Sequence, residues 1–194
     1  MRVAIVKYNA GNTASVANAL DRVGVEGIIS DGPEIVRAAD KVIFPGVGEA
    51  STAMGHLRES GLAETIKSLQ QPVLGICLGM QLLCESSEEN RAGCLGIVPY
   101  HVRRFSSESV KVPHVGWNTV HGLRSQLFEG IDENEYFYFV HGYFVETGEK
   151  TTATCYYDGA FSAAIQHENF YAVQFHPEKS GTAGQRILEN FLNL

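Results

Sequence analysis

The feature that most constrains the fold is a nearly pure apolar run at residues 72–76, which passes directly into a helical pattern through Gly75-x-Cys77-x-Gly79. An apolar run of this length is typical of a strand buried on both faces of a parallel sheet. Small residues on both sides of Cys77 permit the strained strand-to-helix turn called a nucleophile elbow, in which the central side chain stands exposed. The segment therefore predicts an α/β fold with Cys77 at the end of a buried strand.

The rest of the first half alternates strand and helix patterns. Short β-branched or apolar runs, each a predicted strand, lie at residues 2–7, 25–30, 41–44 and 72–76. The third run ends in a predicted turn at 45–48. Apolar residues recur at helical spacing from Thr13 to Gly24, and a second helical stretch carries Ala53, Met54 and Leu57. Because strands that alternate with helices build parallel sheets, the pattern predicts a parallel α/β sheet.

The second half is richer in aromatic and β-branched residues. Segments of this kind lie at 96–105, 117–120, 135–146, 152–156 and 160–176. They predict antiparallel additions to the sheet. A final helix follows, with Thr182 and Gln185 as a predicted capping box and an apolar stripe that includes Ile187, Leu188 and Phe191. No repeat or linker interrupts the chain, so we expect residues 1–194 to form one domain.

Composition excludes several classes of function. With 15 basic and 22 acidic residues, the net charge of −7 argues against nonspecific nucleic-acid binding. The uncharged stretch at 68–84 contains a proline and three glutamines and falls short of the ~20 apolar residues of a membrane span. The four cysteines form no C-x-x-C pair and no zinc spacing, so we expect no metal and no cofactor. With no export signal at the amino terminus, we expect a cytoplasmic protein with reduced thiols.

Cys77 itself allows two interpretations. As a nucleophile it would gain from a helix amino terminus, whose unpaired N–H groups favour a thiolate, and the Leu78 amide would supply one oxyanion donor. As a structural residue it would be a small buried hydrophobe, as most free cysteines are. The elbow alone does not decide between them.

A base for such a nucleophile is found near the carboxyl end. Residues 170–175 form a predicted strand, and His176-Pro177-Glu178 follows at its end. Pro177 favours an extended His176, so the imidazole projects from a strand end, where open α/β sheets bind ligands. Considered alone, His176 could be a structural histidine of the core, and Glu178 could be a solvated residue of the surface. Together with Cys77 they form a candidate Cys–His–Glu triad.

Two segments resemble the signatures of class I glutamine amidotransferases, which use a triad to release ammonia from glutamine. They are Gly75-Ile76-Cys77-Leu78-Gly79-Met80-Gln81 and Phe175-His176-Pro177-Glu178. Further segments, in the same order, resemble the glutaminase subunits of imidazole glycerol phosphate synthases of histidine biosynthesis. These are Gly11-Asn12 with Ser15-Val16, Pro45-Gly46-Val47-Gly48, Lys111-x-Pro113-His114-x-Gly116-Trp117-Asn118, Tyr138-Phe139-Val140-His141 and His176-Pro177-Glu178-Lys179-Ser180.

The resemblance implies a flavodoxin-like three-layer sandwich, a mostly parallel sheet with antiparallel additions, and a role for each triad residue. Cys77 would attack the glutamine amide, His176 would shuttle protons and Glu178 would orient the imidazole. The implied glutamine-binding residues are Gly46, Val47, Gly48, Leu78, Gln81, Glu89, His141 and Gly142. Of these, Gln81 and Glu89 match positions that hold the α-carboxylate and α-amino groups of the substrate.

The resemblance also implies a heterodimer. A (βα)8 barrel needs ~250 residues, so a separate cyclase subunit would use the ammonia to make imidazole glycerol phosphate and an aminoimidazole carboxamide ribonucleotide. The implied contact residues are Asn12, Lys111, His114, Trp117 and Lys179. Taken alone, Trp117 favours a core position. Apart from glutamine and the cyclase, we expect no nucleic-acid or membrane partner.

Two alternative functions stay open. One is a glutaminase of another pathway, such as pyridoxal phosphate synthesis, and the other is a non-catalytic regulator of the same fold in which Cys77 merely packs. The chain also departs from the family pattern at Glu49-Ala50, at Val115 and at Gly142. The last change removes a hydroxyl near the glutamine.

Overall fold

Strands and helices alternate through the first half of the chain, and strands dominate the second half. The computed structural model describes residues 1–9, 11–106, 108 and 110–194. Its strands are β1 (Val3–Val6), β2 (Gly27–Ser30), β3 (Lys41–Gly46), β4 (Val73–Cys77), β5 (Ser86–Ser87), β6 (Ala92–Gly93), β7 (His101–Arg104), β8 (His114–Thr119), β9 (Tyr136–His141), β10 (Tyr143–Val145), β11 (Thr151–Tyr156), β12 (Ala160–His167) and β13 (Phe170–Val173). Its α-helices are α1 (Thr13–Arg22), α2 (Pro33–Ala38), α3 (Ala50–Glu59), α4 (Leu62–Lys67), α5 (Leu78–Leu82) and α6 (Gly181–Leu192). Single 3₁₀ turns lie at Glu89–Arg91, Gln126–Phe128 and Pro177–Lys179.

Seven strands form the main sheet, in the order β11-β12-β13-β4-β3-β1-β2. From β13 to β2 neighbouring strands are parallel, whereas β12 runs antiparallel to both β11 and β13. The predicted class, a mostly parallel α/β sheet with antiparallel additions in the second half, is therefore confirmed. Two smaller sheets have the orders β10-β7-β5-β6 and β8-β9. None of the helices in the described part of the chain is long and apolar enough to cross a membrane.

Helices cover both faces of the main sheet, which explains why its central strands are apolar throughout. In β3, Val42 and Phe44 pack in one core with α3 and α4, while Ile43 packs in a second core with α1 and α6. Val73 and Leu74 of β4 alternate between the same two cores. Because successive side chains of a strand point to opposite faces, a strand between two helical layers needs an apolar residue at every position. This is the three-layer arrangement that the resemblance implies.

Strand β3 is longer than the sequence pattern predicts. Residues 45 and 46, expected in a turn, continue the strand and pair with Ile76 and Cys77 of β4. The two strands therefore end level with each other, and Gly46 lies beside Cys77. A Cβ at Gly46 would lie 2.4 Å from the Tyr8 hydroxyl and 2.8 Å from the Leu78 Cβ, so this approach requires glycine.

The segment at 160–176 contains two strands, and the chain turns between β12 and β13 at Glu168, whose φ is 52°. One prediction for the carboxyl-terminal half needs correction. The last helix begins at Gly181, so Thr182 is not its N-cap and the capping box is wrong. Ser180 occupies the N-cap position, but its hydroxyl donates to the backbone oxygen of His176 instead of capping the helix.

The close packing of α5 on β3 can be tested at Gly79, where a Cβ would lie 1.8 Å from the backbone oxygen of Phe44. We expect Gly79→Ala to lower the free energy of unfolding by about 3 kcal/mol or more, because the helix must move off the strand. Gly55, within α3, faces open space, so Gly55→Ala should raise stability by roughly 0.5–1 kcal/mol through helix propensity. Urea unfolding of both variants measures the difference. Equal stabilities would contradict the packing.

Candidate active site

The backbone at Cys77 has the geometry of a nucleophile elbow. Cys77 ends β4, and α5 begins at Leu78. Its φ of 53° and ψ of −109° are strained for a residue with a Cβ. The turn fits only because its neighbours are small: a Cβ at Gly75 would lie 3.1 Å from that of Ala172 on β13, and Gly79 touches β3. The strain holds the thiol at the strand end.

His176 and Glu178 lie beside this strand end, because β13 is the direct neighbour of β4. The His176 backbone N–H donates to Tyr138 O at 2.9 Å, which fixes the chain where β13 ends. Nδ1 of the ring lies 2.8 Å from Glu178 Oε1, and both side chains are 1% exposed. Among the described residues, Nε2 has no hydrogen-bond partner of ordinary length, although the ring interacts with the Cys77 thiol. Nε2 is therefore the atom left for proton transfer.

The contacts of His176 favour a charged ring. Burial disfavours the imidazolium, but hydrogen bonds and charges from Cys77 and Glu178 favour it more, and the pKa of His176 is raised to about 10. Asn12, expected in the partner contact, donates from Nδ2 to Glu178 Oε1 at 3.4 Å and so supports the carboxylate. A charged imidazole ring beside a thiol is the arrangement that nucleophilic cysteines use.

A cavity of about 200 Å³ opens at the sulfur. Its lining residues are Gly48, Cys77, Leu78, Gln81, Glu89, Pro113, Val140, His141, Gly142 and Tyr143. Most of the predicted glutamine-binding residues are thus brought together around Cys77. Gly46 and Val47 are not part of the lining. Gly46 lies beside Cys77 in the sheet, and the Val47 side chain is 39% exposed.

The side chains of Gln81 and Glu89 differ in what they can offer a ligand. Both N–H groups of Gln81 are engaged, because Nε2 donates to Tyr143 O at 2.9 Å and to Gln174 Oε1 at 3.0 Å. Only the Gln81 Oε1 acceptor remains for a ligand. Glu89 Oε2 accepts the Ala50 N–H at 2.7 Å. Burial raises the pKa of Glu89, and this hydrogen bond partly offsets the rise. Both residues therefore present acceptors, which suit a cationic group. The expected place of the Gln81 side chain at the α-carboxylate does not fit these contacts, because both of its N–H groups are already engaged.

Two further histidines form a neutral pair, and one of them, His141, lines the cavity. His114 Nδ1 lies 3.1 Å from His141 Nε2, and His141 Nδ1 donates to Tyr143 O at 2.7 Å. Burial lowers the pKa of His114 to about 4 and that of His141 to about 3. His114, expected at the partner contact, is stacked between Phe139 and Tyr157 and is only 4% exposed. His114 therefore packs beneath the expected partner-contact surface and is not part of that surface.

An aromatic face borders the site on β8 and β9. Trp117 is 54% exposed, so its interpretation as a core residue is wrong. Its ring contacts Tyr138, and Lys179 Nζ lies 5.9 Å from the centroid of the same Tyr138 ring. Val115, on the same side of β8, is also exposed, as is Lys111. Because Tyr138 O accepts the His176 N–H, this face is continuous with the candidate triad.

Sequence reasoning missed several residues around the sulfur. Gln174 Nε2 donates to Cys77 Sγ at 3.7 Å, and Sγ donates to Val140 O at 3.8 Å. The one available signal was a polar residue inside the apolar strand pattern at 170–175. The carbonyl contacts of Val140 and Tyr143 left no signal, since a backbone oxygen is independent of residue type. These residues complete the surroundings of the thiol.

The other three cysteines differ from Cys77 in their surroundings. Burial is the main cause that raises the pKa of Cys94 to about 11, that of Cys155 to about 12 and that of Cys84 further still. Such thiols stay protonated and unreactive near neutral pH. Within the described residues, no group of three His, Cys, Asp or Glu side chains is placed to hold a metal ion.

The charged state of His176 can be tested through the pH dependence of stability. Its pKa is raised above the ordinary 6.5, so the charge interaction with Glu178 is fully present below about pH 6.5 and is lost as the pH rises through about 10. We expect Glu178→Gln to lower the free energy of unfolding by about 3 kcal/mol at pH 6 and by much less at pH 10.5.

The matched control is Glu26→Gln, at an exposed position, which should show little loss at either pH. Urea unfolding at the two pH values gives the comparison. A loss for Glu178→Gln that does not change with pH would contradict a charged His176.

Comparison with known proteins gives a consistent assignment. Residues 4–194 match the family model described as "Glutamine amidotransferase class-I". The chain is 58% identical over 196 residues to "Imidazole glycerol phosphate synthase subunit HisH" of Bacteroides fragilis (strain YCH46), with 100% of each chain covered. It is 46% identical over 196 residues to the protein of the same name from Escherichia coli (strain K12), again with 100% of each covered.

One solved structure supports the fold. "Crystal structure of glutamine amidotransferase" matches with a TM-score of 0.76 and 21% identity, and the match covers 98% of this chain and 97% of that chain. At this identity the likeness concerns the fold alone.

Proposed function

The chain belongs to the class-I glutamine amidotransferase family, and we propose that it hydrolyses glutamine through Cys77, His176 and Glu178 and passes the ammonia to a cyclase subunit. Relatives at 46–58% identity over its full length carry the name of the imidazole glycerol phosphate synthase subunit. The chain is accordingly a glutamine amidotransferase subunit of that synthase, in histidine biosynthesis.

The observation that carries the proposal is the meeting of three features at one strand end. A strained cysteine lies beside a buried His176–Glu178 pair, and the cysteine lines a cavity. At about 200 Å³ this cavity is smaller than the roughly 300–1,000 Å³ of pockets for larger ligands, which suits an amino acid. A core thiol that merely packs requires neither an oriented base nor a cavity.

In the first half-reaction, the Cys77 thiolate attacks the side-chain amide carbon of glutamine. The oxygen of the tetrahedral intermediate becomes negative and accepts the N–H of Leu78, the first residue of α5. The 46–48 segment, beside Cys77 at the end of β3, provides the second donor. His176 then protonates the leaving nitrogen from Nε2, which releases ammonia and leaves a thioester.

In the second half-reaction, water attacks the thioester while His176 accepts its proton. Collapse of the intermediate expels the Cys77 thiolate and releases glutamate. Glu178 holds Nδ1 throughout, so the ring keeps one tautomer and presents Nε2 at each step. The Cys77–His176 pair is thereby restored for the next turnover.

The cavity also orients the rest of the amino acid. Ionised Glu89 pairs with the α-ammonium group, and the free Oε1 of Gln81 accepts a further N–H from it. The α-carboxylate is left to backbone N–H groups in the 141–142 segment. Gly142 serves this role without a side chain, so the hydroxyl that the family often has there is dispensable.

The aromatic face of β8 and β9 is where we place the (βα)8 cyclase. Trp117 and Val115 are exposed, with Tyr138 and Lys179 beside them, and exposed tryptophan and tyrosine are typical of interface centres. The face adjoins the triad through Tyr138, so ammonia released at Cys77 has a short way to the partner.

This placement predicts the effect of Trp117→Ala. Because the ring is 54% exposed, its loss should leave the fold intact, while the affinity for the cyclase should fall by at least tenfold, as for other central interface tryptophans. Ile35→Ala, on α2, removes a side chain that is 46% exposed and should leave the affinity unchanged. Titration of labelled subunit with cyclase measures both. Equal affinities would place the interface elsewhere.

The triad is tested by Cys77→Ala in the complex. Glutamine-dependent synthesis should be abolished, because no thioester can form, while synthesis from added ammonia should remain, because that chemistry belongs to the partner. Cys94→Ala is the matched control and should retain both activities. Glutamine turnover above a few per cent in Cys77→Ala would contradict the triad.

The same assay separates the alternatives. A wild-type chain that hydrolyses glutamine but does not support the cyclase would belong to another pathway. A chain whose Cys77 resists a glutamine-like chloroketone, and which shows no turnover with the partner, would be a non-catalytic regulator.

A further inference from the structure

The amide of Gln174 is buried directly against the sulfur of Cys77. Gln174 lies between β13 and His176, is 0% exposed, and its backbone N–H donates to Ala163 O at 2.8 Å. Its Nε2 lies 3.7 Å from Cys77 Sγ. The two half-reactions above do not use this group. Burial of a polar side chain lowers stability unless the side chain makes hydrogen bonds, so the partners of this amide need an explanation.

The orientation of this amide is fixed by a chain of hydrogen bonds. Tyr143 O is a backbone acceptor, so the group that faces it must be the NH₂ of Gln81, at 2.9 Å. The second N–H of that group donates to Gln174 Oε1 at 3.0 Å. With Oε1 taken as the acceptor, the NH₂ of Gln174 must face Cys77 Sγ. This series of hydrogen bonds therefore places an N–H donor, and not an acceptor, against the sulfur of Cys77.

The two neighbours of the sulfur have opposite effects on its ionisation. In the thiol form Sγ donates to Val140 O at 3.8 Å, and a carbonyl oxygen disfavours a thiolate. The Gln174 N–H is a donor that strengthens when the sulfur becomes negative. The titratable groups around the sulfur are His176 with Glu178 behind it, Tyr8, and the neutral His141. Gln174 adds a donor without adding charge.

We infer that Gln174 stabilises the thiolate of Cys77 and couples it to Gln81 in the substrate cavity. The inference rests on the proposed function of Cys77 as the nucleophile. A bound amino acid contacts Gln81. Because Gln81 is hydrogen-bonded to Gln174, the position of Gln81 determines the position of the N–H donor at the sulfur. Gln174 thus acts on the rate of thioester formation more than on the affinity for glutamine.

The test uses two substitutions with different side effects. Gln174→Met removes both the donor and the acceptor at nearly the same volume. Gln174→Glu keeps an acceptor for Gln81 and the same shape, but removes the donor and places a carboxyl group at the sulfur. Gln166→Met is the matched control, because Gln166 lies on β12 and accepts from Ser125 rather than contacting the thiol.

The readout is the rate of alkylation of Cys77 by iodoacetamide as a function of pH, followed by peptide mass mapping, together with glutamine turnover in the complex. For Gln174→Met we expect the midpoint of the alkylation curve to rise by about one pH unit, and kcat to fall with little change in KM. For Gln174→Glu the midpoint should rise further. Gln166→Met should follow the wild-type curve.

The outcomes separate the inference from the proposed function. If Gln174→Glu or Gln174→Met is folded by circular dichroism and alkylates along the wild-type curve, Gln174 does not stabilise the thiolate, and Cys77 remains the nucleophile. If wild-type Cys77 is alkylated no faster than Cys94, the nucleophile assignment fails and the inference fails with it. Should Gln174→Met not fold, the isosteric Gln174→Glu decides.

Discussion

The contact between the first turn of α5 and the end of β3 determines where the rest of the site lies. Gly79 and Gly46 allow it, because a Cβ at either position would collide with the neighbouring element. With α5 seated there, Cys77 is held level with Gly46 on one side, and β13 leads to His176 on the other. The proposed nucleophile, base and oxyanion segment are thus collected at adjacent ends of three parallel strands, without any long loop.

The parts of the site that could be predicted from the sequence are those marked by a local pattern of residues at the end of a strand. An apolar run, two glycines around Cys77 and the segment that begins with His176 are local patterns, and the structure brings them together as adjacent strands. Features set by tertiary packing were not predictable. His114 is buried although its neighbours in the chain are exposed, and the hydrogen-bond partners of Gln174 come from β4, α5 and β12. Such contacts join residues that are distant in sequence.

The segment at 46–48, which we propose as the second oxyanion donor, is anchored at both of its ends. Before it, the Tyr8 hydroxyl donates to Pro45 O at 2.9 Å. After it, Glu49 caps α3, and hydrogen bonds from the side chains of Ser51, Thr52 and Asn90 hold the pKa of Glu49 at about 2. The peptide groups on either side of Val47 therefore lie between two anchors. Gly48, with a φ of 107°, adopts a conformation that favours glycine.

One of these anchors is shared with the proposed substrate site. Glu89, which we place at the α-ammonium group of glutamine, already accepts the N–H of Ala50 at the start of α3. A carboxylate that gains a cationic ligand weakens its hold on a neutral N–H, because the charged partner competes for the same oxygen lone pairs. Binding of an amino acid at Glu89 would therefore weaken the hydrogen bond to Ala50, the first residue of α3, which lies two residues after the 46–48 segment. In the proposed binding mode, a single hydrogen bond therefore joins the group that recognises the amino acid to the helix that follows the 46–48 segment. Glu49, which stands where the family often has alanine, caps that same helix.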